Sequence, residues 1–258
     1  MAIQKTGRLD SIVVNVILDE LMRAAIDGGV ASQRCETICL VMISLTSINV
    51  RGQILSKIRK ALGKTSVKPT RDLADNTHWN EIASLTRLAL IAHQHGKQTV
   101  LPQLYRPELL HLVTLIAGTG ETLVRTTVWQ LVLDTLQALW IVRSANAIAE
   151  PEIQTLHDEE STDETLRYFG LKRATYTGDP IPYVPFNEKE GLNNQEGLVS
   201  YLMRVMETAA QTKGLLNIWR ARWMSLVTAT AFQVSPAVQA RAFIVLGALA
   251  TSDVDGDF

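Results

Sequence analysis

The chain has 258 residues, a net charge of −1 and a pI near 6.5, which excludes the strong basic excess typical of a dedicated nucleic-acid-binding protein. Hydrophobic residues make up 47% of the chain and aromatic residues only 6%, so we expect a substantial core and helix-on-helix packing rather than a β-sandwich. The first residues lack the apolar core of a secretory signal, and no apolar run is long enough to cross a membrane.

Apolar residues recur at helical spacing along almost the whole chain, and no credible strand or hairpin signal interrupts them. About ten helices are therefore predicted, joined mostly by short turns. In chain order they cover residues 9–26, 32–44, 50–62, 78–94, 107–118 and 121–142, two short helices within 147–170, and residues 196–212, 215–232 and 236–250. The first helix has one apolar stripe that we expect to pack on its neighbours, formed by Leu9, Ile12, Val13, Val16, Ile17 and Leu21.

The second predicted helix contains both cysteines of the chain, Cys35 and Cys39, on one face. We expect them to be small buried residues in a reducing, cytoplasmic compartment rather than a disulfide. A zinc site would need two more ligands, and no other cysteine or histidine lies near them in the sequence.

The middle of the chain is less regular. Pro151 is expected to open one short helix, and Ser161 with Glu164 has the spacing of a capping box for the next. Residues 172–195 contain three prolines and are predicted to form a long internal loop.

Two of the predicted helices share a pattern in which a turn precedes an early arginine, Arg125 or Arg241. Apolar residues and a leucine follow each arginine at matching distances: Val128, Trp129 and Leu133 in one helix, and Ile244, Val245 and Leu249 in the other. This pattern is typical of the second helix of a HEAT-type repeat, whose arginine can be held by carboxylates or turn carbonyls of an adjacent repeat. The predicted fold is therefore an all-α, HEAT/armadillo-like α-solenoid of stacked helical hairpins, and a closed helical bundle is the alternative.

No set of residues in the sequence indicates a catalytic, cofactor or metal site. Asp253, Asp255 and Asp257 have the spacing that opens a calcium loop, but Phe258 stands where that loop needs glycine. The carboxylates between residues 150 and 164 are interpreted as a solvated acidic surface. A helical enzyme remains an alternative that would be favoured by a pocket lined by two or more titratable groups with shifted pKa values.

One stretch is strongly basic, because seven basic residues and no acidic one lie between residues 51 and 71. They are Arg51, Lys57, Arg59, Lys60, Lys64, Lys68 and Arg71. Such a block could contact anionic lipid, an acidic partner or acidic residues 150–164 of the same fold, and a solvated surface is the simpler interpretation. No aromatic residue is interleaved with these charges, which argues against nucleic acid as a ligand.

Four stretches of the chain, in this order, carry a resemblance to a known family: LDSIVVNVILDELMRAAIDGG, THWNEIASLTRLAL, ETLVRTTVWQLVLDTLQAL and WRARWMSLVTATAFQVSPAVQARAFIVLGALA. Their most telling positions are Trp79, Ile82, Ala83, Leu85, Arg87, Leu123, Arg125, Phe232, Pro236, Gln239, Arg241, Ala242 and Gly247. In order and combined length they resemble neurofibromin and its fungal Ira-type relatives, in the segment downstream of the Ras GTPase-activating and Sec14-PH modules. The resemblance covers residues 9–140 and 215–250 and is weak between them.

The resemblance implies a segment of a very large cytoplasmic protein that switches Ras off and can be recruited to membranes. The arginine finger of that family belongs to a separate module, so neither Arg125 nor Arg241 is assigned this role. By the same resemblance, residues 1–258 form a single solenoid segment that is a fragment of a larger protein. It would position other modules, contact other repeats of the same polypeptide and support a homodimer, while Ras binds the separate module.

The last predicted helix is highly apolar and is followed by acidic residues suited to capping another helix. We therefore expect an isolated chain to expose a hydrophobic C-terminal face. The alternative function is a stand-alone helical adaptor that binds a peptide or anionic lipid through residues 51–71.

Overall fold

The computed structural model of the protein describes residues 11–45, 50–95, 106–144, 151–172, 188–210 and 212–254. Within these ranges it contains twelve α-helices, one short 3-10 helix and no strand, so the all-α prediction is confirmed. The helices are α1 (Ser11–Gly28), α2 (Gln33–Leu45), α3 (Val50–Lys64), α4 (Trp79–His95), α5 (Arg106–Ile116), α6 (Thr122–Ser144), α7 (Pro151–Glu159), α8 (Asp163–Tyr168), α9 (Glu188–Asn193), α10 (Gln195–Ala209), α11 (Lys213–Ala231) and α12 (Pro236–Val254). The 3-10 helix, Leu73–Asp75, lies between α3 and α4. None of the described helices combines the length and apolar character that crossing a bilayer requires.

The first half of the described chain packs as a solenoid-like series of neighbouring helices. Helix α2 contacts α1 and α4, α4 contacts α3 and α6, and α3 contacts α5. The buried side chains along this series are almost all aliphatic, such as Ile54, Ile82 and Leu88. Because burial of apolar area stabilises a fold by roughly 25 cal/mol per Å², this continuous core is the main stabilising term.

Helix α5 occupies a central position between the two halves of the chain. Each residue from Leu110 to Ile116 is buried, and the helix contacts α3, α6, α10, α11 and α12. The hydroxyl groups of Thr65 and Ser235 hydrogen-bond at 2.9 Å, which joins the end of α3 to the start of α12. The final hairpin, α11 and α12, therefore packs on the middle of the chain as well as on its immediate predecessor α10.

The apolar stripe predicted for α1 does not face the core. Ile12, Val13, Val16 and Ile17 are between 37% and 68% exposed, whereas the buried positions are Leu18, Met22 and Ala25. Leu21 is half-buried, and Leu9 lies outside the described residues. Helix α1 is apolar around much of its circumference, so periodicity alone does not select the face that packs on α2 and α4.

The capping box predicted for α8 is wrong by one residue. Thr162, rather than Ser161, is the N-cap, and its Oγ1 accepts a hydrogen bond from the backbone N–H of Thr165 at 3.3 Å. The same hydroxyl group donates to the carbonyl oxygen of Glu159 at 2.9 Å. One side chain thus closes the turn after α7 and starts α8, which selects Thr162 over its neighbour.

The loop predicted for residues 172–195 is shorter at its C-terminal end than expected. Helix α9 covers Glu188–Asn193, and α10 begins at Gln195. The buried side chain of Gln195 donates to the carbonyl oxygen of Thr114 at 2.6 Å, a contact that attaches α10 to α5. Residues 173–187, which contain the three prolines, lie outside the described residues.

Helix α12 extends beyond its predicted end at Ala250 and reaches Val254. The backbone of Asp253 therefore lies in the last turn of α12. Residues 255–258, which include the rest of the aspartate pattern, are outside the described part of the chain.

Candidate functional site

Three of the seven basic residues between positions 51 and 71 are engaged by other parts of the fold. The half-buried Arg51 donates from Nε to the carbonyl oxygen of Ala92 at 3.1 Å and from Nη2 to that of His93 at 3.3 Å, near the C-terminal end of α4. Burial lowers the pKa of Arg51. Lys57 Nζ lies 2.9 Å from Asp19 Oδ1, and Lys64 Nζ lies 2.8 Å from Glu81 Oε1.

The other four basic residues, Arg59, Lys60, Lys68 and Arg71, are exposed. None of them has an ion pair with a described residue. The basic stretch is therefore a partly neutralised surface, and its available positive charge is concentrated on these four side chains.

The acidic segment contacts a different cation. Arg204 of α10 lies 3.0 Å from Glu152 through its Nε and 2.7 Å from Glu159 through its Nη1. The hydrogen bond to Glu159 is the main reason why the pKa of Arg204 is raised. Within the described residues, Arg204 and not the basic stretch compensates this acidic surface.

The two arginines that share a sequence pattern are fully buried, with Arg125 2% and Arg241 0% exposed. Arg125 Nη1 donates to the carbonyl oxygen of Gly170, just after α8, at 2.7 Å. Arg241 Nη1 donates to the carbonyl oxygen of Ala117, just after α5, at 2.6 Å. Each guanidinium therefore binds the carbonyl end of a helix, where the helix dipole favours a cation.

The two turns that receive these arginines lie against each other. Gly118 and Gly170 both have positive φ, at +71° and +66°. A Cβ atom on Gly170 would lie 3.2 Å from Arg125 Cδ and 3.3 Å from the Cα atom of Gly118. Gly170 thus provides both a left-handed turn and the space for Arg125 and Gly118, whereas Gly118 is required for its backbone conformation.

A cavity of about 140 Å³ lies between α3, α5 and α11. Its polar lining residues are Ser56, Arg59, Glu108, His111 and Arg222, and its apolar wall includes Leu55, Leu112 and Leu226. Arg222 Nε donates to Glu108 Oε1 at 2.8 Å. We refer to this space as the α3–α5–α11 cavity.

His111 is almost fully buried, and its Nε2 lies 3.0 Å from Thr230 Oγ1. Thr230 Oγ1 donates its proton to the carbonyl oxygen of Leu226 at 2.9 Å, so the His111 Nε2–H is the donor and Nδ1 is an acceptor. Burial, with a smaller contribution from the nearby Arg59, lowers the pKa of His111 to about 4. The ring is therefore neutral at physiological pH.

The enzyme hypothesis calls for a pocket lined by two or more titratable groups with shifted pKa values, and His111 is one such group in this cavity. The described residues contain no group of three or more metal-ligating side chains. Cys35 and Cys39 are free and buried, as predicted, and burial raises the pKa of Cys39 to about 12, which disfavours a reactive thiolate.

Sequence reasoning missed Glu108, His111 and Arg222 as members of one site. Arg59 and Arg222 lie on helices α3 and α11, far apart in the chain, and each looks like an ordinary surface cation. The only local signal is the spacing of Glu108 and His111, which are three positions apart on α5 and share a face.

No protein-family model matches the chain. Among curated proteins, the chain is 19% identical over 246 residues to the inhibitory regulator protein IRA2 of Saccharomyces cerevisiae. It is 18% identical over 260 residues to the inhibitory regulator protein IRA1 of the same yeast. Both matches cover 95% of this chain, which spans about 8% of the length of each relative. The similarity supports a distant relationship that extends along nearly the whole chain.

Proposed function

We propose that this chain is a non-catalytic, HEAT/armadillo-like scaffold segment of a neurofibromin-like Ras GTPase activator, a cytoplasmic negative regulator of Ras signalling. The similarity to two inhibitory regulator proteins across 95% of the chain carries this proposal. The segment holds other modules at fixed spacing, packs against further repeats of its own polypeptide and supports a homodimer. Ras binds through a separate module.

The burial of Arg125 and Arg241 supports a structural role for both residues. An arginine finger must reach the nucleotide of the bound GTPase, whereas these guanidinium groups are 2% and 0% exposed and bind helix-terminal carbonyls. Exposing either one would require α6 or α12 to leave the core.

The first two helices present an apolar surface that suits packing against a neighbouring repeat. This N-terminal apolar surface consists of Ile12, Val13, Val16 and Ile17 on α1 and Leu40 and Val41 on α2, each at least 37% exposed. Helices α1 and α2 contact each other, so their exposed apolar residues belong to one hairpin. Exposed apolar residues on a hairpin are what a repeat needs to continue a stack.

The last hairpin presents a second apolar surface. We define the C-terminal apolar surface as Ile218, Phe232, Val234 and Phe243, which are 49% to 75% exposed. An open groove lined by Ala221, Met224 and Leu249 lies along the same hairpin. These exposures agree with the expectation of a hydrophobic C-terminal face and support further packing partners for α11 and α12.

The test uses the longer parent polypeptide, with the double variant Val13→Asp/Val16→Asp and the control Asn15→Asp at another exposed position of α1. We expect the double variant to raise the level of GTP-bound Ras in cells and to reduce the solution mass of the assembly. The Asn15→Asp control keeps a side-chain oxygen that can accept the 2.7 Å hydrogen bond from Gln53 Nε2, so we expect it to behave as wild type. Normal assembly and normal Ras regulation in the double variant would contradict the scaffold proposal.

The second candidate function, a helical adaptor for anionic lipid or an acidic peptide, is favoured by the four exposed basic residues that have no ion pair with a described residue. Its test is vesicle cosedimentation at low salt with the variant Lys60→Glu/Lys68→Glu/Arg71→Glu. This set leaves the ion pairs of Lys57 and Lys64 intact. The control, Arg167→Glu/Lys172→Glu/Lys213→Glu, changes the net charge equally at other exposed positions. Salt-sensitive binding lost only in the first variant supports the adaptor, and equal behaviour of both variants opposes it.

A further inference from the structure

The α3–α5–α11 cavity contains buried polar atoms whose hydrogen bonding is incomplete. Glu108 Oε2 and His111 Nδ1 are both buried, and neither has a hydrogen-bond partner among the described residues. A buried acceptor that is left without a donor costs about 1–3 kcal/mol. Both residues line the same cavity, so one bound species can supply donors to both atoms.

The charges around the cavity favour an anion. Arg59 and Arg222 contribute two positive charges, and the Glu108 carboxylate, which binds Arg222 at 2.8 Å, compensates one of them. His111 is neutral near pH 7 because its pKa is lowered to about 4. One guanidinium, that of Arg59, is therefore left without a carboxylate partner among the described residues.

The hydrogen-bond donors and acceptors that line the cavity favour one kind of anion over others. The guanidinium groups can bind oxygen atoms that carry negative charge. Glu108 Oε2 and His111 Nδ1 need a proton donor, which a carboxylate or a sulfate ion does not have near neutral pH. A phosphate group has both kinds of atom, because near pH 7 inorganic phosphate always keeps at least one P–OH proton and a phosphate monoester keeps one on part of its population. A cavity of about 140 Å³ has room for several water-sized groups and hence for one such tetrahedral anion.

We infer that the α3–α5–α11 cavity is a phosphate-binding site, in which Arg59 and Arg222 bind the charged oxygens and Glu108 Oε2 accepts the P–OH proton. No covalent step is involved. The phosphate group can belong to free inorganic phosphate or to a small phosphate monoester such as a lipid headgroup. The inference does not depend on the scaffold proposal, because it concerns a site between helices of this chain alone.

The test is titration calorimetry of the 258-residue chain with sodium phosphate at about pH 7 and low ionic strength, in parallel with sodium sulfate. We expect phosphate to bind at least about tenfold more tightly than sulfate, because only phosphate can donate to Glu108. Undetectable phosphate binding at millimolar concentration, or equal binding of both anions, would overturn the inference.

Arg59→Gln is the main variant, and Lys60→Gln is its matched control. Both side chains are exposed and adjacent on α3, and only Arg59 lines the cavity. Arg59→Gln should weaken phosphate binding by about tenfold or more, whereas Lys60→Gln should change it by less than about twofold. Equal losses in the two variants would show non-specific attraction to the basic surface and would overturn the site.

Glu108→Gln tests the assignment of the acceptor. The new amide can donate to either anion, so we expect the preference for phosphate over sulfate to disappear while the chain stays folded by circular dichroism. An unchanged preference would overturn the role of Glu108. Titration with glycerol 3-phosphate then identifies the source of the group: binding equal to that of inorganic phosphate supports a monoester, and binding of inorganic phosphate alone supports the free ion.

Discussion

At the scale of single residues, the buried arginines show how charge can be part of an all-helical core. Arg125 and Arg241 each bind a carbonyl oxygen at a helix C-terminus, where the acceptor has no partner within its own helix. The arginine satisfies that oxygen and is itself stabilised by the partial negative charge of the helix end. Both residues thus join helices that are distant in the sequence.

Replacing Arg241 by methionine should lower the free energy of unfolding by about 1–3 kcal/mol, because the carbonyl oxygen of Ala117 loses its buried donor. Arg34→Met is the control, since Arg34 is exposed on α2. Urea unfolding followed by circular dichroism measures both variants. If Arg241→Met is as stable as Arg34→Met, the contact with Ala117 contributes nothing to the fold.

Stability should fall between pH 7 and pH 5 because of His111. Its pKa is lowered to about 4 in the folded state, so the unfolded chain binds the proton first as the pH falls below about 6.5. The stabilisation is complete above the unfolded pKa and is lost as the pH falls towards the folded one. A single histidine of this kind accounts for a loss of about 2 kcal/mol between pH 7 and pH 5.

Urea unfolding of wild type and His111→Asn at the two pH values checks this, in buffers without phosphate. His93, whose pKa is also lowered to about 4 by burial, contributes to the slope of both proteins. The slope should therefore flatten only partly in His111→Asn. A slope equal to that of the wild type would contradict the assignment.

At the scale of elements, the turns decide how closely the helices approach. Gly120, between α5 and α6, has φ +72°, and a Cβ atom placed there would lie 2.2 Å from Trp79 Cζ2. The ring of Trp79, in the first turn of α4, therefore packs directly on the glycine backbone. This glycine is needed both for its backbone conformation and for the space that it leaves.

Gly29 needs the left-handed backbone conformation but not the space. Its φ is +81°, and an added Cβ atom would have no neighbour within 4 Å. Gly29→Ala should cost about 1 kcal/mol, which is the penalty of the left-handed conformation alone. Gly120→Ala should cost at least about 2 kcal/mol more, because Trp79 must move out of a packed site. Thermal unfolding compares the two variants, and equal losses would show that Trp79 adapts without cost.

At the scale of the whole molecule, burial is concentrated around α5, and most of the exposed large apolar side chains of the described residues lie on the first and last hairpins. Helix α5 contacts α3, α6, α10, α11 and α12. The N-terminal and C-terminal apolar surfaces instead expose aliphatic and aromatic side chains to solvent. This distribution suits a segment that packs against further structure at both surfaces.

The 258-residue chain should therefore bind a hydrophobic dye and associate at high concentration. Phe232→Ser/Phe243→Ser should reduce both effects, because it removes two large exposed side chains, which are 75% and 49% exposed. Ala240→Ser, at an exposed position of α12, is the control. Dye fluorescence and light scattering measure the outcome, and a monomeric wild-type chain without dye binding would oppose the scaffold proposal.

Much of the element order could be predicted from the sequence, and one helix shows the limit of that prediction. The positions of α1 to α6 agree with the periodicity to within a few residues, because helix formation depends on local spacing and caps. The face of α1 that packs on the core could not be predicted from the sequence, because apolar residues lie around much of the helix. The contacts of α1 with α2 and α4 determine which of these residues are buried. Likewise, Ser161 and Thr162 offer competing caps, and the turn after α7 selects Thr162.

The amino-acid sequence by itself determined the all-α class, most of the helices and the burial of Cys35 and Cys39, because these follow from local periodicity and side-chain chemistry. Only the tertiary structure decided that the last hairpin packs on α5 and that Arg59, Glu108, His111 and Arg222 line one cavity. The pair Arg222–Glu108 joins residues 114 positions apart. No local pattern encodes such a contact, because it results from the packing of whole helices around a shared core.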